Sequence, residues 1–365
     1  MSEKSGQTQA KLARGEPPAR ASNPYDGLPP ERSWRRVVAG VPPFALDPTT
    51  RGDFRLSRSE RIATAGSCFA QHVARVLREG GYNFHVTEPP RGNGAAGAEE
   101  NFSARYGNIY TTRQLVQLFD RAYGAFAPRL TAWQREDGRY VDPFRPRMDP
   151  GGFASEDEVA AERGRHLAAV RHLFESLDTL VVTLGLTEGW RDTRDGAALP
   201  LPPGVAGGVW RPDEVAFVNA GVSEMVGDML RFVDALREVN ARARIILTVS
   251  PVPLAMTYRE RHVLVANASS KAALRVLADE VCAARPEVFY FPSYEIVTSP
   301  LTIQRYFAEN LRAVTPEGVA HVMRCFMAHA DTNTGEGARQ GVSFDVGRET
   351  ARTSQVICDE ELLDS

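Results

Sequence analysis

The sequence predicts a three-layer α/β domain built on a parallel sheet, and three observations carry that expectation. Four short apolar runs, at residues 62–65, 179–185, 245–249 and 288–291, have the length and β-branched content of strands. Segments with apolar residues at three- and four-residue spacing separate them, as helices would. At least three of the runs are apolar throughout rather than alternating, the pattern of strands covered on both faces. Ligands of such sheets bind beyond the carboxyl ends of the strands. That rule gathers Ser67, Cys68, Thr187, Glu188, Ser250 and Ser293 towards one edge.

The chain of 365 residues is 43% hydrophobic, enough to bury a sizeable core. A formal net charge of -3 argues against a nucleic-acid partner held by bulk electrostatics. The short basic cluster Arg32, Arg35 and Arg36 adjoins Glu31 and reads as a solvated face. Cys68, Cys282, Cys325 and Cys358 show no C-x-x-C spacing, so neither a zinc framework nor a disulfide scaffold is expected. A reducing compartment fits. The N-terminal residues lack the apolar stretch of a secretory signal and no run reaches membrane-span length, so a cytoplasmic protein with no membrane partner is expected.

Taken in order, residues 1–32 are rich in Pro, Gly, Ser and charge and read as a flexible arm. Residues 34–54 mix apolar residues with prolines, as an irregular segment on the core surface would. Residues 61–79 are a buried strand, a tight turn and a helix stopped by Gly80 and Gly81. Ser67 and Cys68 sit on that turn, near a helix N-terminus that favours an anion. A thiol there loses its proton more easily and an oxyanion finds donors. The competing reading makes Ser67 an N-cap and Cys68 a small buried hydrophobe.

Residues 87–105 form a loop, and Thr111 or Thr112 caps a helix running past Phe119. Residues 127–153 carry scattered aromatics and short strands at most. Ser155 to Glu158 form a capping box before a long helix. After the second strand, a proline-rich excursion at 199–212 leads to a helix at 223–239. The third strand closes on Ser250-Pro251 and is followed by a helix carrying Leu274, Leu277 and Val281. The last clear helix has Thr315 as N-cap and Pro316 in its first turn. One α/β domain over 33–330 and a mobile polar tail over 331–365 complete the expectation.

The blocks AGSCFA (65–70), YGNIYTTRQ (106–114), VVTLGLTEGW (181–190), TVSPVP (248–253), SK (270–271) and YFPSYEIV (290–297) together resemble the GSCFA family, over about residues 33–330. That family is grouped with the SGNH/GDSL-like hydrolases. The resemblance implies a flavodoxin-like parallel sheet and an esterase, O-acyl hydrolase or acyltransferase. Such an enzyme acts on a small or carbohydrate-linked ester through a covalent acyl intermediate. The nucleophile position falls on Cys68, with Ser67 competing if the turn is offset by one residue. In the oxyanion hole, Gly107 fits the loop glycine with Asn108 beside it, and Thr187 replaces an asparagine.

The acid–base block Asp-x-x-His implied by the resemblance would fall on Asn310 and Ala313, so the dyad is absent. His321, a little further on and inside the last helix, is the nearest histidine, and His262 is another. Glu188 and Glu309 are carboxylates that act as bases if burial raises their pKa. The missing dyad supports an alternative, a catalytically impaired binding or scaffolding protein that keeps the fold. No cofactor is expected: the phosphate loop G-x-G-x-x-G is absent, with Cys68 in place of its second glycine, and no His or Cys pair has metal-ligand spacing.

Overall fold

The four apolar runs pair side by side, all parallel, because each is apolar on both faces and has helices to cover it. The computed structural model describes residues 23–49, 54–90, 101–328 and 356–363. It divides into two units, Met1–Pro42 and Pro43–Ser365. In the first, a turn closed by the Asn23 side chain and a 3-10 turn at Pro30–Arg32 precede the four-residue helix α1 (Trp34–Val37), which buries no residue. Of the expected arm, residues 1–22 lie outside the described residues.

The second unit runs β1 (Ile62–Gly66), α2 (Ala70–Glu79), α3 (Thr112–Ala122), the hairpin strands β2 (Trp133–Gln134) and β3 (Tyr140–Val141), then α4 (Glu156–Ser176) and β4 (Thr179–Leu184). Next come β5 (Glu188–Asp192), β6 (Ala198–Leu199), β7 (Val215–Asn219), α5 (Val222–Val239), β8 (Arg244–Val249), α6 (Val263–Ala284) and β9 (Val288–Tyr290). Three helices finish it: α7 (Ser293–Thr298), α8 (Ile303–Tyr306) and α9 (Pro316–Met327). Thr111 caps α3 in a capping box with Gln114, and Thr315 caps α9 by accepting from Gly318 N.

The main sheet has the order β1-β4-β8-β9. A single parallel bridge adds Phe84 beside Ile62, outside β1. In chain order that is 2-1-3-4-5, the flavodoxin-like arrangement. Alternate residues serve opposite layers, as strand geometry requires. Leu180, Val182, Ile245 and Leu247 pack with α3, α4, α5 and α6, whereas Val181 and Ile246 pack with α2, α7 and α9. The three-layer α/β/α expectation holds.

Two regions differ from the sequence reading. Where it showed a strand end and a proline-rich excursion, β6, β5 and β7 make a second, antiparallel sheet. These strands are short, and β5 and β7 are partly exposed, so they lack the apolar runs of the main sheet. Trp190 and Phe217, directly opposite in the β5–β7 register, hold them together as a cross-strand aromatic pair. The second difference concerns the expected mobile tail. Residues 356–363 lie against the carboxyl edge of the main sheet, with Cys358, Asp359 and Glu360 buried and a 3-10 turn at Asp359–Leu363. Residues 329–355 lie outside the described residues. Among the described residues no helix is long and apolar enough to cross a membrane.

Candidate active site

β1 ends on Gly66 at φ +127°, so close to β4 that a Cβ there would overlap the Thr183 backbone. Ser67 N–H donates to the Thr183 carbonyl at 3.0 Å, while the carbonyls of Ser67 and Cys68 accept from Ala70 and Gln71. The chain thereby turns from strand into α2 within Ser67, Cys68 and Phe69. Ser67 and Cys68 are both buried. Ser67 Oγ makes no hydrogen bond among the described residues, an uncommon state for a buried hydroxyl.

The segment 107–111 crosses the ends of β1 and β4. Ile109 N–H donates to the Gly66 carbonyl at 2.8 Å, and the Tyr110 carbonyl accepts from Gly185 at 3.2 Å and Leu186 at 3.0 Å. From α6, Lys271 reaches the same spot: its Nζ donates to the Gly185 carbonyl at 2.9 Å, and a Cβ on Gly185 would press on the Ser67 Cβ at 3.1 Å. Lys271 is 1% exposed, and burial lowers its pKa to about 8 against the opposing pull of Glu360 and Cys68.

The missing acid–base block is occupied by an arginine. Asn310 Oδ1 accepts from the N–H groups of Arg312 and Ala313, and Leu311 takes a φ of +52°. This turn sends Arg312 inward, where it donates to the Pro253 carbonyl at 3.2 Å, to Glu360 Oε2 at 2.9 Å and to Cys358 Sγ at 3.6 Å.

The C-terminal segment closes the site. Gln71 accepts from Ile357 N–H at 3.0 Å and donates to its carbonyl at 2.8 Å. Asn108 Nδ2 donates to the Ile357 carbonyl and to Asp359 Oδ2, both at 2.9 Å. Tyr110 Oη accepts from Asp359 N–H at 3.0 Å, Arg147 donates to the Cys358 carbonyl at 2.8 Å, and Glu360 Oε1 accepts from Ala255 N–H at 3.2 Å. Burial lifts Asp359 to about 6 and raises Glu360, the latter against Arg312.

Neighbouring Cys358, then burial, raises the Cys68 pKa well above the usual thiol value. Cys68 in turn lowers Cys358 against burial, with Arg312 helping. Of the two thiols, Cys358, next to the Arg312 guanidinium, is the more acidic.

Beside this cluster lies a cavity of about 320 Å³. Trp190, Trp210, Phe217 and Tyr258 line it, with Glu188, Glu360 and Leu363. Glu188 accepts from Thr257 Oγ1 at 2.9 Å. Glu360 borders the cavity and also adds negative charge near Cys68.

Of the residues singled out in the sequence, Ser67, Cys68 and Asn108 come together with Lys271. Gly107, at φ +71°, packs its Cα side towards Met148 as a turn glycine. Thr187 Oγ1 donates to Asn219 Oδ1 at 2.7 Å and its N–H donates to Ser270 Oγ at 3.1 Å, so its hydroxyl proton serves the loop. His321 sits elsewhere: Nε2 donates to the Leu46 carbonyl at 2.7 Å and Nδ1 meets the Tyr306 hydroxyl at 2.6 Å. Both ring nitrogens are used in binding the segment before β1 to α8 and α9. His262 caps α6, accepting from Leu264 N–H at 3.1 Å, and Glu309 is exposed. Lys271, Arg312, Cys358, Asp359 and Glu360 are the site residues that the sequence reading passed over.

Fold and site together define a three-layer α/β protein with nucleophile-capable side chains on the turn after its first strand. The family model described as "GSCFA family" matches residues 61–326, and the chain belongs to that family. No curated protein matches the chain.

Proposed function

We propose that this protein is an SGNH-like acyl-transfer enzyme, an esterase, O-acyl hydrolase or acyltransferase acting on a small or carbohydrate-linked ester. The observation that supports it is the placement of Cys68 and Lys271 at one strand edge, where Cys68 opposes the fall that burial imposes on the Lys271 pKa, next to an aromatic cavity. Cys68 attacks the ester carbonyl, the alcohol leaves, and water or a second hydroxyl takes the acyl group from the thioester. Lys271 takes the role that the absent histidine would have filled: as a neutral amine it accepts the thiol proton. The rings of Trp190, Trp210 and Tyr258 suit the apolar face of a sugar or an acyl group.

Because only the neutral amine is a base, acylation should quicken as pH rises through about 8, the Lys271 value. Lys271→Met should flatten that rise. The decisive measurement is intact-protein mass spectrometry of the reduced protein after exposure to an aryl acetate or a fluorophosphonate. A single adduct lost in Cys68→Ala or in Ser67→Ala supports the enzyme. No adduct at either residue and no aryl acetate turnover would sink it.

The second reading, a binding or scaffolding protein, is favoured by one observation: Arg312 and the C-terminal segment occupy the place of the acid–base pair and cover Cys68. It predicts saturable binding of an ester or its alcohol without turnover.

A further inference from the structure

We infer that the aromatic cavity beside the strand edge is a binding site for a quaternary or methylated ammonium group, carried on the alcohol part of the ester. The place of that group on the ester rests on the acyl-transfer reading, whereas capture of the cation needs no chemistry.

The second sheet builds the site. Glu188 and Trp190 are two residues apart on β5, so their side chains leave the same face of the strand. Phe217 lies directly opposite Trp190 on β7, and the chain after β8 brings Thr257 and Tyr258 against them. Trp210 comes from the proline-rich excursion. The rings are inclined to one another rather than stacked. Trp190 meets Trp210 at 87° and 5.3 Å, Phe217 at 66° and 5.6 Å, and Tyr258 at 65° and 4.9 Å. All four line the cavity of about 320 Å³. Tyr258 is 63% exposed and Trp210 40%, so these rings are kept at an open surface instead of closing into the core.

The acidic group of the cavity has room for a cation. Glu188 is only 8% exposed. Thr257 Oγ1 lies within hydrogen-bonding distance of both its oxygens, at 2.9 and 3.0 Å, and Tyr258 N–H donates to Oε2 at 3.4 Å. Among the described residues Glu188 has no ion-pair partner, whereas Glu360, on the same cavity, has Arg312 at 2.9 Å. A buried carboxylate is ordinarily paired with a cation, and here the ligand supplies it.

The walls decide between a cation and a sugar. An aromatic face attracts a cation placed over it, and the attraction grows when water is excluded. Faces inclined to one another surround a compact group, whereas a pyranose lies flat on a single ring. The remaining walls, among them Leu186, Pro200, Pro203, Leu254 and Leu363, offer no side-chain hydrogen bonds, and the Thr257 hydroxyl already serves Glu188. Sugar hydroxyls entering there would go unpaired. A fully alkylated ammonium has no hydrogen bonds to lose. Among small esters the cavity therefore favours that of an amino alcohol over that of a carbohydrate.

The test is isothermal titration calorimetry of the full-length protein with choline, set against the dimethylbutanol of the same shape with carbon in place of nitrogen. Choline is expected to bind saturably, at least about tenfold more tightly than that neutral alcohol. Glu188→Gln should weaken choline about tenfold and leave the neutral alcohol unchanged. Trp190 also fastens β5 to β7, so the contribution of the rings is read in Tyr258→Leu, at an exposed side chain. With the native circular dichroism spectrum, that variant should bind choline about fivefold more weakly. Equal affinity for choline and the neutral alcohol, tighter binding of methyl glucoside than of choline, or unchanged choline binding in both variants would overturn the inference. Choline binding with no adduct at Cys68 or Ser67 upholds the cation site and counts against acyl transfer alone. Turnover of aryl acetate with no choline binding does the reverse.

Discussion

Gly66 answers two demands at one position: a positive φ and a backbone contact with Thr183 that leaves no space for a methyl group. Gly66→Ala is therefore expected to cost about 3 kcal/mol or more, read as a lowered denaturant midpoint. Its turn was visible in the sequence because a strand-like run, a glycine and a helical period follow one another. Lys271 was not. On α6 it lies among Ala266, Ser270, Leu274, Leu277 and Ala278, all buried. A charged residue on that apolar stripe was the available signal, and a lysine on a helix more often ends in solvent. Arg312 lies between Asn310 and Ala313, and neither composition nor spacing marks a cation there as one that the Asn310 turn sends inward.

Among the elements, the C-terminal segment depends on a few polar anchors, of which Asn108 touches both Ile357 and Asp359. Asn108→Leu removes those bonds and the one from Gln71, at about 1–3 kcal/mol of docking. Alkylation of Cys68 in the reduced, folded variant should then run about tenfold faster than in the wild type. The main-sheet strands were legible because burial on both faces writes itself as an uninterrupted apolar run. The segment at 356–363 carries only Val356, Ile357 and Cys358 before three acidic residues, and its partners Gln71, Asn108, Tyr110 and Arg147 lie more than two hundred positions away. Side chains that find their partners only through the fold leave little periodicity to read.

Over the whole molecule, buried titratable groups set the response to acid. Burial lowers His72 to about 3, with Arg75 adding to it. His166 falls to about 4 because burial and Arg145 outweigh the pull of Glu88, whose own pKa drops to about 2 through His166 and Arg145. An unfolded chain protonates its histidines near 6.5, so between that pH and about 4 the unfolded state binds more protons and gains on the folded one. Glu88 adds to the loss from about 4.5 downwards. Each histidine contributes on the order of several kcal/mol. The melting temperature should fall steeply from pH 6.5 to pH 4, and a His72→Gln variant that melts normally at pH 7 should show a shallower fall.

The sheet order also bears on how the chain folds. β4, β8 and β9 follow one another within the main sheet, β4 to β8 by way of the second sheet and α5 and β8 to β9 by way of α6, whereas β1 must wait for β4, which it meets at Ile62 opposite Thr179. Closing that longer loop is slower, so the nucleus is expected to form in the β4–β8–β9 half and β1 to dock afterwards. Ile246→Val should therefore slow refolding, with a φ-value well above that of Ile62→Val, which should mainly speed unfolding. The turn that carries Ser67 and Cys68 would then be among the last parts of the main sheet to take shape.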